Sequence, residues 1–586
     1  MRVNLDPTLS IKREHLKAHK NTHNDVYKER NSNRINKNYV NNARKVWRGK
    51  YANISNEIHR EILYELDHLD PYFLIESRSE YIQNKYKNLV TQMKILHGST
   101  KISPSDITEL NAWLIHHGTD TTPTQPKTNQ AHRYLNLIGR LSGFLCDSTV
   151  VYTDLMTKGT QLKFLLTLAH PSDGKNNHAK VKAITTTEKH TLRAVFKPKW
   201  YSNNITFPGV VDGKDRHYGE YIGFLLSLLL ELYTVPVTLL RSFPMSHFLA
   251  TASPRLNTTY FPGPHNTSCY MGKCLYCTRD EALCAGKTVA GAVILYLENT
   301  PVEKLPSPYQ RSYGGKTKAW ERDEKYCLDN VAQRRDREFI LDLVDVAVFD
   351  FLMQNGDRHH LEKTKVSWSE PKDVHNNANI DIDRNNRYGN IDAKENTYTD
   401  DGIESRNDRY LSNIDSDKNN RYGNIDETNI ESNNIDTNTN NRYNNIDHNQ
   451  NNGYNNIESN NIDENKNNRN INIKNGADKS LTQSKVVDKL LLLDNGKSFG
   501  NPALDNLDIL APLYQCCVLR VSTYNRLVQL RGGLMIKILK QMSGGCNGEE
   551  VLTEDQWRGM QRRLTLVYAA VNYCVRKHQG KTVLVK

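Results

Sequence analysis

Between about residues 374 and 478 the chain is written almost entirely in Asn, Asp, Ile, Tyr and Arg. "NNRYGNID" starts at 385 and 419, "NNRYNNID" at 440 and "NNGYNNIE" at 451. The intervals of 34, 21 and 11 residues follow no fixed period, so they build no solenoid. Apolar side chains there are too scattered to offset the entropy of ordering the backbone. A disordered insertion without chemistry is expected, and any fold must be made by the flanks. Closing a long loop costs little more than closing a short one, because the cost grows with the logarithm of length. The two flanks can therefore share one core. A hydrophobic fraction of 37% and a mean hydropathy of −0.69 fit a folded part diluted by polar filler.

The flanks carry the periodicities. Residues 1–140 are polar and basic, with helical patterning in "EIHREILYELDHL" at 57–69. "TQLKFLLTLAH" and "LRAVFKPKW" read as strands and "GEYIGFLLSLLLELY" as a helix, which predicts a small sheet backed by one helix. Ile340, Val344, Ala347 and Phe351 recur at helical spacing, and that helix should stop before the turn pair Asn355-Gly356. Apolar content returns at "VVDKLLLL", and "LDILAPLYQCCVLRVSTYNRLVQL" reads as largely helical core.

A formal charge of +12 favours anionic partners such as nucleotides, nucleic acid, sulfated glycans or acidic peptides. No Lys/Arg block, zinc finger or RNA-binding signature is present, so nucleic acid is not the expected partner. The N-terminus has no apolar stretch of signal-peptide length, and "FLLSLLLELY" is too short to span a bilayer. Taken literally, that describes a soluble cytoplasmic protein. The cysteines argue for an oxidising compartment instead. Cys274-x-x-Cys277 has the spacing of half a zinc finger, whereas Cys269, Cys274, Cys277 and Cys284 also fit two nested disulfides. The adjacent Cys516 and Cys517 would each pair elsewhere. Sequons at Asn53, Asn204, Asn257 and Asn266 are compatible with a lumenal location, with a targeting segment missing or atypical.

Two apolar runs end in an acid. "FDFLMQNGDRHH" releases Asp357 and "KLLLLDNGKSFGN" releases Asp494, 137 positions later (494 − 357). Phosphoryl transfer needs a cation on the triphosphate, carboxylates for a divalent metal, and a base aimed at the acceptor hydroxyl. "KGTQLK" at 158–163 has one glycine and is no Walker loop. Lys197 could lie along phosphates, though alone it reads as an exposed strand lysine. Asp215 and Glu220 stand at the start of a helix, where acids also complement the dipole. Asp357 suits the base but is equally a turn-terminating aspartate; Asp494, at a strand end after four leucines, is more informative and suits a hard cation, with a plain turn as its alternative. His359 and His360 are adjacent and diverge, which disfavours joint metal ligation. The set is persuasive where its members are not.

"FKPKWY", "DRHYGEYIGF", "CYMGKCLYC", "FDFLMQNGDRHH" and "LLLLDNGKSFGNPALDNLDILAPLYQCC" resemble, in order, the secretory-pathway kinases called family with sequence similarity 20, relatives of four-jointed. The resemblance covers about 150–363 and 486–580. "LDNGKSFGNPALDNLDILAPLYQCCVLRVSTYNRL" is more similar to the xylose-phosphorylating branch than to the secreted protein kinases. The implied fold is α+β, an atypical two-lobed kinase stapled by disulfides. On that basis 1–140 is a poorly assigned segment, 141–300 an N-lobe with hinge, 301–373 the C-lobe with its catalytic loop, 374–478 the insertion and 479–586 the rest of the C-lobe. The resemblance implies Asp357 as catalytic, Asp215 and Asp494 as metal-binding, and Gln161, Lys197, Glu362 and Asp494 at the nucleotide. It places Ile294, Leu295, Tyr296 and Leu297 at the adenine hinge and Glu220 on the facing helix. It also implies that Cys327 and Cys574 pair with Cys516 and Cys517 in an unassigned order, leaving Cys146 and Cys546 over. The implied reaction moves the γ-phosphate of ATP, with Mn²⁺ or Mg²⁺, to the 2-hydroxyl of xylose in a proteoglycan linkage region. It places the protein in the Golgi lumen or outside the cell, with oligomers among related kinases possible. A secreted Ser/Thr kinase and a nucleotide-binding pseudokinase that activates a partner are the alternatives.

Overall fold

A computed structural model describes residues 56–93, 102–110 apart from 104 and 108, 127–170 apart from 157–158, and 191–368 apart from 299, 301 and 313–315. It further describes 485–585 apart from 547, 549–550 and 580–581. The chain divides into two units, 1–370 with 482–586 and 371–481, and every described residue belongs to the first. The expected insertion at 374–478 lies outside the described residues.

Helix α1 (Glu57–Asp67) starts at Asn56, whose side chain accepts the His59 N–H. It buries Ile58, Ile62 and Leu66, spaced by four, against the C-terminal helix described below. Helices α2 (Glu80–Gln92) and α3 (Lys127–Asp147) follow. Helix α3 runs straight through residue 140, with Leu135, Ile138, Leu141 and Leu145 all buried. The break expected between 140 and 141 thus falls inside a helix, because composition changes there while the apolar period does not.

The expected small sheet has five strands. Strands β1 (Thr149–Leu155), β2 (Phe164–Ala169) and β3 (Thr191–Pro198) are followed by helix α4 (His217–Leu229), strand β4 (Thr238–Pro244) and helix α5 (Met245–Thr251). Short strands β5 (Tyr260–Pro262), β6 (Ser268–Tyr270) and β7 (Leu283–Ala285) form their own sheet, and β8 (Thr288–Leu295) returns to the first. The main sheet has the order β1-β2-β3-β8-β4, antiparallel throughout. Every residue of α4 is buried, as expected for a helix apolar all round and packed between layers.

Beyond strand β9 (Val302–Pro306), helix α6 (Arg337–Met353) forms the centre of the second lobe. Asp336 caps it by accepting the Phe339 N–H at 2.8 Å, and Gln354 ends it at φ 59°. Strands β10 (His360–Trp368) and β11 (Lys485–Leu491) pair antiparallel from Glu362↔Leu491 to Trp368↔Lys485, with β9 on the other side of β10. Helices α7 (Ala511–Cys516), α8 (Val521–Gln529), α9 (Leu534–Met542) and α10 (Glu554–Lys577) complete the lobe. Arg576 on α10 reaches Glu61 at 2.8 Å and Glu65 at 2.6 Å, binding α1 to this lobe.

All ten cysteines are paired: 269–284 and 274–277 in the small sheet, 327–516 and 517–574 in the second lobe, and 146–546 between α3 and the loop after α9. None remains to form the half zinc finger. Among the described residues, no helix is long and apolar enough to cross a membrane.

Candidate active site

Lys197 lies in β3 at the centre of the sheet, with its side chain buried to 7% exposure. Its Nζ donates to Glu220 Oε1 at 2.5 Å, to Asp215 Oδ2 at 3.2 Å and to Asp494 Oδ1. Burial works against its charge, but Asp494, Glu220 and Asp215 outweigh that and hold its pKa well above the ordinary lysine value. Reciprocally, Lys197 holds Asp494 well below the usual carboxylate range, with Lys163 assisting.

The neighbours fix this geometry. Gln161 grips Asp215 twice, accepting its backbone N–H at 2.9 Å and donating to Oδ1 at 2.9 Å. Glu220 Oε2 accepts the Asn495 N–H at 3.1 Å. The loop after β11 can come this close because α4 offers glycines at 219 and 223. A Cβ at 219 would stand 2.5 Å from the Asn495 carbonyl oxygen. Asp494 itself takes φ 58°, which turns its carboxylate back towards Lys197.

Asp357 follows the end of α6. Its backbone N–H donates to Asn355 Oδ1 at 3.3 Å, and Asn355 Nδ2 donates to Asp350 Oδ1 at 3.2 Å. Arg358 then bridges the two acid-bearing loops. It meets Asp350 at 2.9 and 2.8 Å, Asn495 Oδ1 at 2.7 Å, and the Leu493 carbonyl. Asp350 raises the Arg358 pKa strongly despite burial. His359 bonds the Asp357 carbonyl at 2.8 Å through Nδ1, and its pKa is raised by Asp357. The rings of His359 and His360 lie 4.0 Å apart, inclined at 54°, and both are outside the carboxylate cluster.

Glu362 is paired in β10 with Lys304 and Leu491. Burial pushes its carboxyl pKa up, with Arg358 opposing, and among the described residues its Oε2 has no hydrogen-bond partner. Ile294 and Leu295, expected at the hinge, end β8, with the N–H of Leu295 bonded to Val237 O and that of Tyr296 to Arg193 O. Leu297 follows, partly buried against the core.

The structure thus brings Gln161, Lys197, Asp215, Glu220 and Asp494 into one cluster, with Asp357 joined to it through Arg358. Asp215 and Glu220 do more than complement a helix dipole, since both face Lys197. Arg358 and Asn495 were missed as site-builders. Arg358 follows Asp357 directly, and Asn495 follows Asp494, the one residue of its motif that was given a role. Oxygens of Asp215, Glu220 and Asp494 lie within 4.8 Å of one another, a hard-oxygen set that suits Mn²⁺ or Mg²⁺.

A family profile described as Golgi casein kinase, C-terminal, Fam20 matches residues 170–397 and 475–583. The glycosaminoglycan xylosylkinase homolog of Drosophila melanogaster is 25% identical over 460 residues, covering 77% of this chain and 75% of the relative. The glycosaminoglycan xylosylkinase of Homo sapiens is 28% identical over 456 residues, covering 77% and 78%. The structure of hydra Fam20 with sugar aligns with a TM-score of 0.51 at 25% identity, over 81% of this chain and 98% of the other. A Golgi casein kinase with Mn/ADP bound shares the fold, with a TM-score of 0.51 at 19% identity, over 88% and 94%. The chain belongs to the Fam20 kinase family.

Proposed function

We propose that this protein transfers the γ-phosphoryl group of ATP to the 2-hydroxyl of xylose in the glycosaminoglycan–protein linkage region. The observation that carries transfer is Arg358 tying the Asp357 loop to the Asp494 loop, with Lys197 against Asp494. The acceptor rests on the xylosylkinase-named relatives. The disulfides and the relatives named extracellular kinases support a Golgi-lumenal or secreted location.

Asp357 orients the sugar hydroxyl and takes its proton. A sugar hydroxyl is a weak nucleophile, so positioning supplies much of the rate. Lys197 holds phosphate oxygens, and Gln161 keeps Asp215 in place. Asp494 and Asp215, with Glu220 beside them, would hold Mn²⁺ or Mg²⁺, which supplies charge neutralisation at the phosphates when bound. Ile294 to Leu297 line the adenine edge. With the N–H groups of Leu295 and Tyr296 committed to the sheet, a purine there meets carbonyl oxygens and Leu297. Glu362, whose Oε2 has no hydrogen-bond partner among the described residues, would accept from the nucleotide.

Purified chain with Mn²⁺–ATP and either a xylose-containing linkage oligosaccharide or casein tests the reading. Phosphate on the oligosaccharide alone supports it. Phosphate on casein alone favours the Ser/Thr kinase reading, which a 25% identity over 422 residues to human extracellular serine/threonine protein kinase FAM20C keeps in play. Failure to consume ATP above an Asp357→Ala background favours a pseudokinase.

A further inference from the structure

The loop from Asp494 to Ser498 carries one more charge, Lys497. Its backbone is held at several points: Asn495 N–H donates to Glu220, Arg216 N–H donates to Gly496 O at 2.7 Å, and Arg216 Nε donates to Ser498 O at 2.7 Å. Lys497 is fixed between these anchors. Its Nζ donates to the carbonyl oxygens of Val211, at 3.0 Å, and Gly213. Those carbonyls belong to the stretch between β3 and α4, which also reaches the Asp357 loop. A Cβ added at Gly356 would lie 2.6 Å from the Val210 methyls.

The Lys497 ammonium interacts electrostatically with Asp215, Asp357 and Asp494, yet among the described residues it forms no ion pair. Burial pulls its pKa below the ordinary lysine value, and the three carboxylates restore only part of the loss. A half-buried cation whose hydrogen-bond acceptors are two neutral carbonyls is therefore within electrostatic reach of both the proposed base and the proposed metal ligands. Carbonyls hold an ammonium more weakly than anionic phosphoryl oxygens do.

We infer that Lys497 is a further residue of the transfer site, meeting the γ-phosphoryl group on its acceptor side; this rests on the transfer reading above. In that reaction the acceptor oxygen bonds to the γ-phosphorus. The bond from that phosphorus to the bridging oxygen breaks, its electron pair leaving on ADP, and the hydroxyl proton passes to Asp357. Charge spreads over the three equatorial oxygens of the group in flight. Lys197 meets the phosphates from the side of Glu220 and Asp494, and Lys497 meets them from the side of Asp357. A donor fixed in advance where charge develops needs no reorganisation during reaction. Lys497 itself neither gives nor takes the proton.

The test uses the full chain, Mn²⁺–ATP and the linkage oligosaccharide, with Lys497→Met and Lys497→Arg. Lys497→Met should lose roughly 10²-fold or more in kcat, the usual effect of removing one such donor, with Mn²⁺–ATP affinity and Tm near wild type. Lys497→Arg should recover part of the rate. A kcat in Lys497→Met within about threefold of wild type overturns the inference. So does a loss in both variants matched by weaker ATP binding or lower Tm, since that marks a structural latch. If wild type leaves the oligosaccharide unphosphorylated, the acceptor reading alone fails, and the same comparison is read on ATP hydrolysis. A comparable fall in hydrolysis then supports the role of Lys497, and unchanged hydrolysis overturns it.

Discussion

Lys197→Met keeps the side-chain length and removes the charge that three carboxylates share. Oxygens of Asp215, Glu220 and Asp494 lie within 4.8 Å of one another. Two unit charges at that separation repel by about 3.5 kcal/mol at an effective dielectric of about 20. The Asp494 side chain is 55% exposed, so water screens its pairs and leaves roughly half of that. In the wild type the ammonium cancels this repulsion, and a divalent ion must compete with it. In the variant the ion meets uncompensated carboxylates. Mn²⁺ without nucleotide should therefore bind Lys197→Met about tenfold more tightly at pH 7.5, or ~1.4 kcal/mol, while transfer falls by roughly 10²-fold or more. Repulsion in the variant also disfavours having all three carboxylates ionised, so its Mn²⁺ affinity should climb more steeply with pH than that of wild type. Calorimetric titration of both proteins with Mn²⁺ reads each effect. Equal affinities would refute the claim that Lys197 is the counter-charge of this cluster.

Three further outcomes are expected. Asp357→Asn should lose roughly 10²- to 10⁴-fold in transfer while keeping Mn²⁺–ATP affinity, and a matching drop in affinity would remove Asp357 from the role of base. Arg358→Met leaves Asp350 buried without its bidentate partner, so denaturant unfolding should show a loss of about 3–5 kcal/mol; an unchanged midpoint would mean the bridge holds nothing. Asp342, beside Arg520 at 2.6 Å, has its carboxyl pushed up to about 6 by burial, with Arg520 opposing. Its folded form thus keeps a proton that the unfolded chain has released, so its contribution to stability falls as pH rises from about 4 to 6 and then levels off. Asp342→Asn lacks that loss, and its Tm should gain on wild type across this window; a constant difference would disprove the linkage.

The sequence made legible what depends on local pattern. The apolar period from Ile340 to Phe351 marked α6, and the runs ahead of Asp357 and Asp494 marked both acids. The family motifs supplied the rest of the candidate set. Strands β1, β4 and β8 escaped because stretches such as "TVVYTDL" carry no clean apolar alternation. Helix α3 escaped as an element because its first half sits in polar sequence. Cys146 and Cys546 are separated by 400 residues, and only the fold brings them together. Arg358 and Lys497 were in plain view. Their roles depend on which backbone carbonyls and carboxylates surround them, which no spacing rule reports.

The β10–β11 ladder has a consequence for how such a protein tolerates change. Its rungs run from Glu362↔Leu491, next to the chemistry, outward to Trp368↔Lys485. Residues entering or leaving the chain between 368 and 485 lengthen or shorten a hairpin's far end without altering the alignment at its root. That makes this position a port where foreign sequence, whether acquired by drift or placed there as a tag, can be admitted with Asp357 and Asp494 kept in register.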